Sequence, residues 1–251
     1  MPTPTGSSTT GDDAGGGGLW RSPVTLIIAI AIVGLAVVMG GYLTFFHHGG
    51  AGTDATAASP GAGVPVPAQT APPAGPLSNA LTSAPASRWE LYQGVVLPYS
   101  AEHGPKTVDG LGVAAGYTHD PTGALLAAVQ TATRTALAPD NAWQAILSKQ
   151  VVPGEGVAAY TAARQGAHIA ANSVPSTSLN QIAGFRVVNY SDAVAVFDLV
   201  VRTKDGVLQT TQSTVVWADG DWKLTLQPNG AANTAPTAIP SLSGYVPWSG
   251  V

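Results

Sequence analysis

The chain has 251 residues, no cysteine and a formal net charge of −4 at pH 7. The lack of cysteine excludes a disulfide framework, a thiolate metal site and a cysteine nucleophile. From Arg88 onward, nine Lys and Arg residues face eleven Asp and Glu residues, without a basic cluster. Direct nucleic-acid binding is therefore not expected, because it depends on a concentrated positive surface.

The N-terminal part predicts a tail followed by a membrane anchor. Residues 1–19 are small and polar, and we expect them to be a disordered tail, because they lack apolar surface to offset the entropy of ordering. Within residues 20–46, the stretch from Val24 to Phe46 contains 23 residues and no charge. As a helix it is roughly 34 Å long, and a hydrocarbon core is ~30 Å thick. Trp20 and Phe46 suit the two membrane interfaces, so residues 20–46 are predicted to be a transmembrane helix.

Two other interpretations of this stretch are less favoured than a membrane anchor. A buried core helix is disfavoured, because the flanking segments offer no core to enter. A cleaved signal peptide has an apolar region of about 7–15 residues after a basic start. Here the run is longer and follows a single base, Arg21, although Ala55-Thr56-Ala57 offers small residues for cleavage. Arg21 also sets the expected orientation: a single-pass protein of the cell membrane, with a cytoplasmic N-terminus and the C-terminal domain outside.

Residues 47–87 are predicted to be a flexible linker. They are rich in Ala, Gly, Pro, Thr and Ser, and the only formal charge from Gly49 to Ser87 is Asp54. As a flexible coil, these 39 residues span roughly 35 Å on average. The linker therefore allows the domain beyond it to act at a distance from the membrane.

Residues 88–227 are predicted to form one folded domain that begins with an extended segment and three helices. The extended segment is RWELYQGVVLPYS. The first helix is expected from Asp120, which can cap it, through Pro121 to about Leu137. Its predicted inward face consists of Leu125, Val129, Ala132 and Ala136. A second helix is expected to start at Asp140, and a third after Pro153-Gly154 with Val157, Tyr160, Ala163 and Ala167 inward.

After Pro175 the apolar period changes from 3.6 to 2, which predicts strands. Four strands are expected, at Gln181–Tyr190, Ala193–Thr203, Val207–Ala218 and Asp221–Gln227. Asp205-Gly206 and Asp219-Gly220 separate the later strands, and Asp-Gly pairs favour type I′ hairpin turns. The pattern therefore predicts an antiparallel meander. Residues 228–251 are expected to form an extended C-terminal strap, because proline opposes regular structure there while Tyr245 and Trp248 are too apolar for a solvated tail.

Helices followed by a curled antiparallel sheet give an α+β architecture. In the order of elements across residues 120–227, the chain resembles the cone-shaped superfamily of nuclear transport factor two, scytalone dehydratase and ketosteroid isomerase. It is more closely similar to the membrane-anchored proteins of this fold that are encoded with conjugation systems in actinobacteria and other Gram-positive bacteria. That resemblance rests on the tail, single span, Pro/Ala-rich linker and external domain, and on the phrases LPYSAEHGP, GYTHDPTGALLAA and GYVPW.

The resemblance implies a non-catalytic assembly or scaffold protein of a conjugative, or type IV secretion, apparatus. The expected partners are the membrane, other envelope or secretion-apparatus proteins and, as a further possibility, copies of the same chain. No cofactor or metal is expected. The adjacent His47 and His48 lack acidic or thiolate partners, so they make a poor metal site.

Two alternatives have different site requirements. The first is a ligand-binding or isomerase/dehydratase-like cone, in which His119, Tyr190, Asp198 and Arg202 are the candidate pocket residues. A simpler interpretation of His119-Asp120 is that Asp120 caps a helix. A simpler interpretation of Asp198 and Arg202 is that they form an ion pair on a solvated face of the sheet. The second alternative is a cell-envelope sensor, whose ligand the sequence does not name. Sequence motifs such as GxSxG, the P-loop and HExxH are not found in the chain.

Overall fold

The computed structural model describes residues 81–173 and 179–251 and confirms an α+β domain with a mostly antiparallel sheet. The predicted tail, the anchor with Trp20, Arg21, Val24 and Phe46, and most of the linker lie outside the described residues. In the part that is described, no helix has both the length and the apolar character needed to span a bilayer.

The elements follow the predicted order, helices before the main sheet. The helices are α1 (Pro121–Leu137), α2 (Trp143–Gln150) and α3 (Glu155–Gln165). The strands are β1 (Arg88–Tyr92), β2 (Val95–Tyr99), β3 (Thr107–Val108), β4 (Ala114–Ala115), β5 (Gln181–Tyr190), β6 (Val194–Arg202), β7 (Leu208–Ala218), β8 (Asp221–Leu224), β9 (Thr237–Ile239) and β10 (Val246–Pro247). The main sheet has the order β10-β5-β6-β7-β8, and β9 also pairs with β7.

The predicted meander β5 to β8 is confirmed, and its turns differ in type. Asp219 and Gly220 have φ values of 53° and 79°, so the β7–β8 turn has the two positive φ angles of a type I′ turn. The prediction of the same turn at Asp205-Gly206 is wrong, since only Gly206 of that pair has a positive φ. There the loop is longer, and the N–H of Thr203 donates to the carbonyl of Val207 over 2.9 Å.

Strand β5 has two irregularities that bend it. Its register against β6 shifts between Ile182 and Gly184 and again between Val187 and Asn189. An extra residue in one strand of an antiparallel pair kinks that strand and increases its twist. Because side chains alternate along each strand, the sheet has two faces. The inner face packs on α1 and contains Phe185, Phe197 and Val215. The outer face contains Arg186, Asp198 and Gln212.

Helix α1 is buried on almost every side, whereas the sequence predicted a single inward face. It packs against β6, β7 and β8 and also against β2. Strand β2 forms a hairpin with β1 through a turn at Gln93 and Gly94, whose φ values are 49° and 88°. The extended segment predicted at residues 88–100 is therefore a hairpin that covers α1. Ala136, which was predicted to face inward, is exposed.

The second helix also starts differently from the prediction. Asp140 does not cap α2, which begins at Trp143. Its carboxylate instead accepts hydrogen bonds from the N–H of Ile169 over 2.9 Å and from Arg164 over 3.1 Å. Asp140 therefore fixes the chain that leaves α3, which starts directly after Pro153-Gly154 as predicted. The prediction that Ala163 of α3 faces inward is wrong: Ala163 is exposed, and Arg164 next to it is buried.

The C-terminal segment adds a short strand at each edge of the main sheet. Strand β9 pairs with β7 and β10 pairs with β5. The indole of Trp248 is 4% exposed and packs between Trp89 and Phe185, with ring centroids 5.2 Å and 5.6 Å away. Its Nε1–H donates to Ser87 Oγ over 3.3 Å. Residues before β1 and after β10 are therefore joined at one end of β5.

Arg134 of α1 is a buried cation that joins the helix to the β1–β2 hairpin. It is 1% exposed. It donates to Gln130 Oε1 over 2.9 Å, to the carbonyl of Gly112 over 2.8 Å and to the hydroxyl of Tyr99 over 2.7 Å. The guanidinium also lies 4.4 Å from the ring centroid of Tyr92. Its partners are neutral oxygens and a π face, so its charge is stabilised by dipoles.

Replacing Arg134 with Met is expected to lower the free energy of unfolding by about 3 kcal/mol, because buried oxygens that lose their donor cost about 1–3 kcal/mol each. Urea unfolding of the full-length chain in mild detergent, followed by tryptophan fluorescence, measures the loss. Arg88→Met is the matched control. The Arg88 side chain is 72% exposed, and its replacement should change stability by less than about 0.5 kcal/mol. Equal losses for both variants would contradict a stabilising role for the buried network.

Candidate functional site

Two of the sequence phrases that support the family resemblance meet at the start of α1. His103 belongs to LPYSAEHGP, and Thr118 and Asp120 belong to GYTHDPTGALLAA. His103 Nδ1 lies 3.0 Å from Asp120 Oδ2 and 3.1 Å from Thr118 Oγ1, and the N–H of Thr118 donates to the carbonyl of His103. The structure thus forms a His–Asp–Thr cluster that sequence reasoning missed, because seventeen positions separate His103 from Asp120.

Asp120 has two functions in this cluster. Its Oδ1 accepts the N–H of Gly123 over 2.7 Å and so caps α1, as predicted. Partial burial disfavours the charged carboxylate. The hydrogen bonds from Gly123, Thr118 and His103 outweigh that burial and lower the pKa of Asp120 below its ordinary value of 3.8. The carboxylate is therefore ionised at neutral pH and holds the loop at His103 against the helix.

His119 points away from Asp120, so the adjacent pair considered from the sequence does not act as one unit. Its Nε2–H donates to the carbonyl of Asp192 over 2.5 Å. Its ring stacks on Trp217 with centroids 3.9 Å apart and an interplanar angle of 7°. Trp222 packs edge-on against the same ring, with centroids 5.6 Å apart. His119 is exposed, so one face of the imidazole packs on Trp217 while the side chain remains accessible.

Tyr190 completes an aromatic surface beside His119. Its ring centroid lies 6.1 Å from that of Trp222, which is buried and donates its Nε1–H to the carbonyl of Thr118. Burial, together with the negative charges of Asp192 and Asp120, raises the pKa of Tyr190. We call His119, Trp217 and Tyr190 the aromatic platform. Trp217 and Tyr190 are half-buried.

The platform lies where three connections meet: the β5–β6 turn with Asp192, the β7–β8 turn with Asp219, and the segment before α1. The last two are tied together by Asp221. Its carboxylate accepts the backbone N–H groups of Gly116 over 2.7 Å and Tyr117 over 3.1 Å. This end of the sheet is therefore held in place by side-chain to backbone hydrogen bonds as well as by packing.

Asp198 and Arg202, the other two predicted pocket residues, lie elsewhere. Asp198 is on the outer face, where it forms an ion pair with Arg186 and accepts a hydrogen bond from Gln212 over 3.2 Å. The ion pair expected between Asp198 and Arg202 is not formed. Arg202 lines a groove of about 610 Å³ at the other end of β5. The groove is also lined by Ile182, Lys204, Leu242, Pro247 and Trp248.

The structure thus brings together two of the four candidates, His119 and Tyr190. Phe197 and Asp198 are neighbours on β6 and point to opposite faces, and the platform belongs to the face of Phe197. That inner face is filled by Phe185, Phe197 and Trp222, each at most 1% exposed. In residues 81–173 and 179–251, no three His, Asp or Glu side chains are grouped as metal ligands.

These features define a small α+β domain with an accessible aromatic surface and neighbouring carboxylates at one end of its sheet. Residues 53–247 match the family described as Domain of unknown function (DUF8175), and the chain belongs to that family. No curated protein and no solved structure matched the chain.

The ionised Asp120 makes a pH-dependent contribution to stability. Because its folded pKa is lowered, the stabilisation is present above the ordinary value of 3.8 and is lost as the pH falls through the folded value. Asp120→Asn keeps a good capping residue and removes the charge, so the variant should be less stable than the parent at pH 7 and match it at low pH. Asp120→Ala should lose about 1 kcal/mol more at pH 7, because the cap is also removed.

Urea unfolding at a series of pH values measures these differences. Asp205→Asn is the control, because the Asp205 side chain is 69% exposed and pairs only with its neighbour Lys204. A constant difference between Asp120→Asn and the parent across the series would show that the charge of Asp120 has no role.

Proposed function

We propose that this chain is a membrane-anchored, non-catalytic protein that assembles with other proteins outside the cytoplasm, in a conjugative or type IV secretion apparatus. The observation that supports the proposal most is the filled inner face of the sheet. Phe185, Phe197 and Trp222 occupy the space between the sheet and α1. The accessible aromatic and charged groups are instead on the surface, where a partner protein can reach them.

The competing function, an enzyme or a ligand-binding protein, requires polar side chains that converge on an internal cavity. Asp198 faces outward with Arg186, while His119 lies at the edge of the inner face, so the two cannot act on one small substrate inside the cone. The same arrangement is consistent with the proposed nuclear-transport-factor-two-like cone as a fold. The bends in β5 and the enclosure of α1 by the sheet support that finer assignment.

The extent of the family match supports an external functional unit. The match begins at residue 53, seven residues beyond Phe46, and ends at residue 247. The region shared with the family therefore lies wholly on the C-terminal side of the predicted anchor. On the proposed topology, Arg21 faces the cytoplasm and everything from residue 47 onward is external.

The natural chain contains no cysteine, so single-cysteine variants report this topology without background. In intact cells, a membrane-impermeant maleimide should label Lys204→Cys, whose parent side chain is 57% exposed, and should leave Ser7→Cys unlabelled. Both variants should be labelled after lysis. Labelling of Ser7→Cys in intact cells would place the N-terminus outside, and release of Lys204→Cys into the medium would indicate cleavage.

Deletion of the gene from a strain with the corresponding conjugative element should reduce DNA transfer to background. The full-length chain should restore transfer. A version without residues 20–46 should not restore it, because the domain would no longer be held at the envelope. Normal transfer in the deletion strain, together with a purified domain that binds no component of the apparatus, would overturn the proposed function.

A further inference from the structure

The two ends of the main sheet differ in charge. At the end with the aromatic platform are five carboxylates and two lysines. The carboxylates are Glu102, Asp120, Asp192, Asp219 and Asp221, and the lysines are Lys106 and Lys223. His103 and His119 are the other titratable groups that face this region besides Tyr190. At the opposite end are three exposed cationic side chains, those of Arg88, Arg202 and Lys204, and two carboxylates, since Glu90 pairs with Arg88 and Asp205 pairs with Lys204.

Carboxylates of the platform end remain accessible to a ligand. The side chain of Glu102 is 84% exposed, and that of Asp219 is 83% exposed although it forms an ion pair with Lys223. Asp192 is also exposed, and it is held next to the platform because its own carbonyl accepts the hydrogen bond from His119. Lys106 Nζ donates to the backbone carbonyls of Ala101 and Glu102, so it does not neutralise the Glu102 carboxylate directly.

The platform supplies the second element of recognition, flat aromatic surface. The imidazole of His119 is supported from behind by Trp217, whose own edge packs on the buried Trp222. An aromatic group fixed in this way loses little side-chain entropy when a ligand packs on it. Flat aromatic groups beside carboxylates favour a planar cation. A guanidinium can stack on the ring and donate to a carboxylate at the same time, whereas an ammonium acts mainly as a point charge.

We propose that the aromatic platform and its carboxylates bind a basic segment of a partner protein, with arginine side chains preferred over lysine. This inference rests on the proposed function, in that it assigns the chemistry of one assembly partner. An anionic lipid surface or nucleic acid is disfavoured at this end, because its carboxylates repel phosphate.

The test is isothermal titration of the full-length chain, in neutral detergent at low salt, with octapeptides of arginine, lysine and glutamate. The arginine peptide should bind about threefold more tightly than the lysine peptide, the ratio expected from a cation–π contact at an exposed site. The glutamate peptide should not bind. Added salt should weaken both basic peptides, because the carboxylate contacts are screened.

Paired variants separate the aromatic and the charged contributions. His119→Ala should remove the preference for arginine, and His119→Phe should keep it, since phenylalanine can still stack on Trp217. His168→Ala is the matched control. The His168 side chain is 83% exposed, and it contacts Asp140, which is not part of the platform. Glu102→Gln combined with Asp192→Asn should weaken both basic peptides several-fold, whereas Glu90→Gln combined with Asp205→Asn should not.

Three results would overturn the inference: equal binding of the arginine and lysine peptides, equal losses in the platform and control variants, or stronger binding to vesicles of anionic phospholipid than to the arginine peptide. Unfolding midpoints of each variant show whether a loss of binding reflects a loss of folding. If transfer is abolished by the gene deletion while no basic peptide binds, only this inference fails. If the peptides bind as expected while transfer is normal, the proposed conjugative role is wrong and the proposed binding surface for basic segments is retained.

Discussion

The buried guanidinium of Arg134 is the constraint on which the rest of this domain depends. Its charge cannot be removed by deprotonation, so the chain must surround it with acceptors. Those acceptors come from the helix itself, from the hydroxyl of Tyr99 on β2 and from the carbonyl of Gly112 in the loop before α1. Burial raises the pKa of Tyr92 beneath the guanidinium, although the positive charge opposes this effect, so the phenol stays neutral. The hairpin, the loop and the helix must therefore fold together.

Arg134 also determines where the candidate surface is. The loop that supplies Gly112 continues to Thr118 and Asp120, so one end of it is fixed by the buried cation and the other by the cap of α1. Asp221 then ties the middle of this segment to β8. These three attachments position the segment in which His119 stacks on Trp217. The platform and the buried cation are therefore linked through one segment of chain, residues 112–120.

Local signals in the sequence were sufficient for the existence and order of the helices and of the meander strands. They were insufficient where distant residues decide, as at Asp140, which binds Ile169 and Arg164 and does not cap α2. Asp120-Pro121 and the alternation after Pro175 predicted elements that the structure confirms, because caps and periodicity act within a few residues. The β1–β2 hairpin was missed because its turn has Gln93 at a positive φ, a conformation that glutamine rarely adopts. The clusters of His103 and of Asp140 were missed for another reason, since their partners lie 17 to 29 positions away.

The chain enters the domain at the end of the sheet that is opposite the aromatic platform. Ser87, just before β1, is bonded to Trp248, and Trp248 lines the groove that contains Arg202. The chain therefore enters the domain at the basic end of the sheet. The platform lies at the other end of β5, and a ten-residue strand is about 30 Å long. On the proposed topology, the linker therefore joins the domain at the end of the sheet opposite the platform, and its predicted flexibility leaves the platform free of the attachment point. A cationic partner segment could then bind the platform without contacting the residues at which the chain enters the domain.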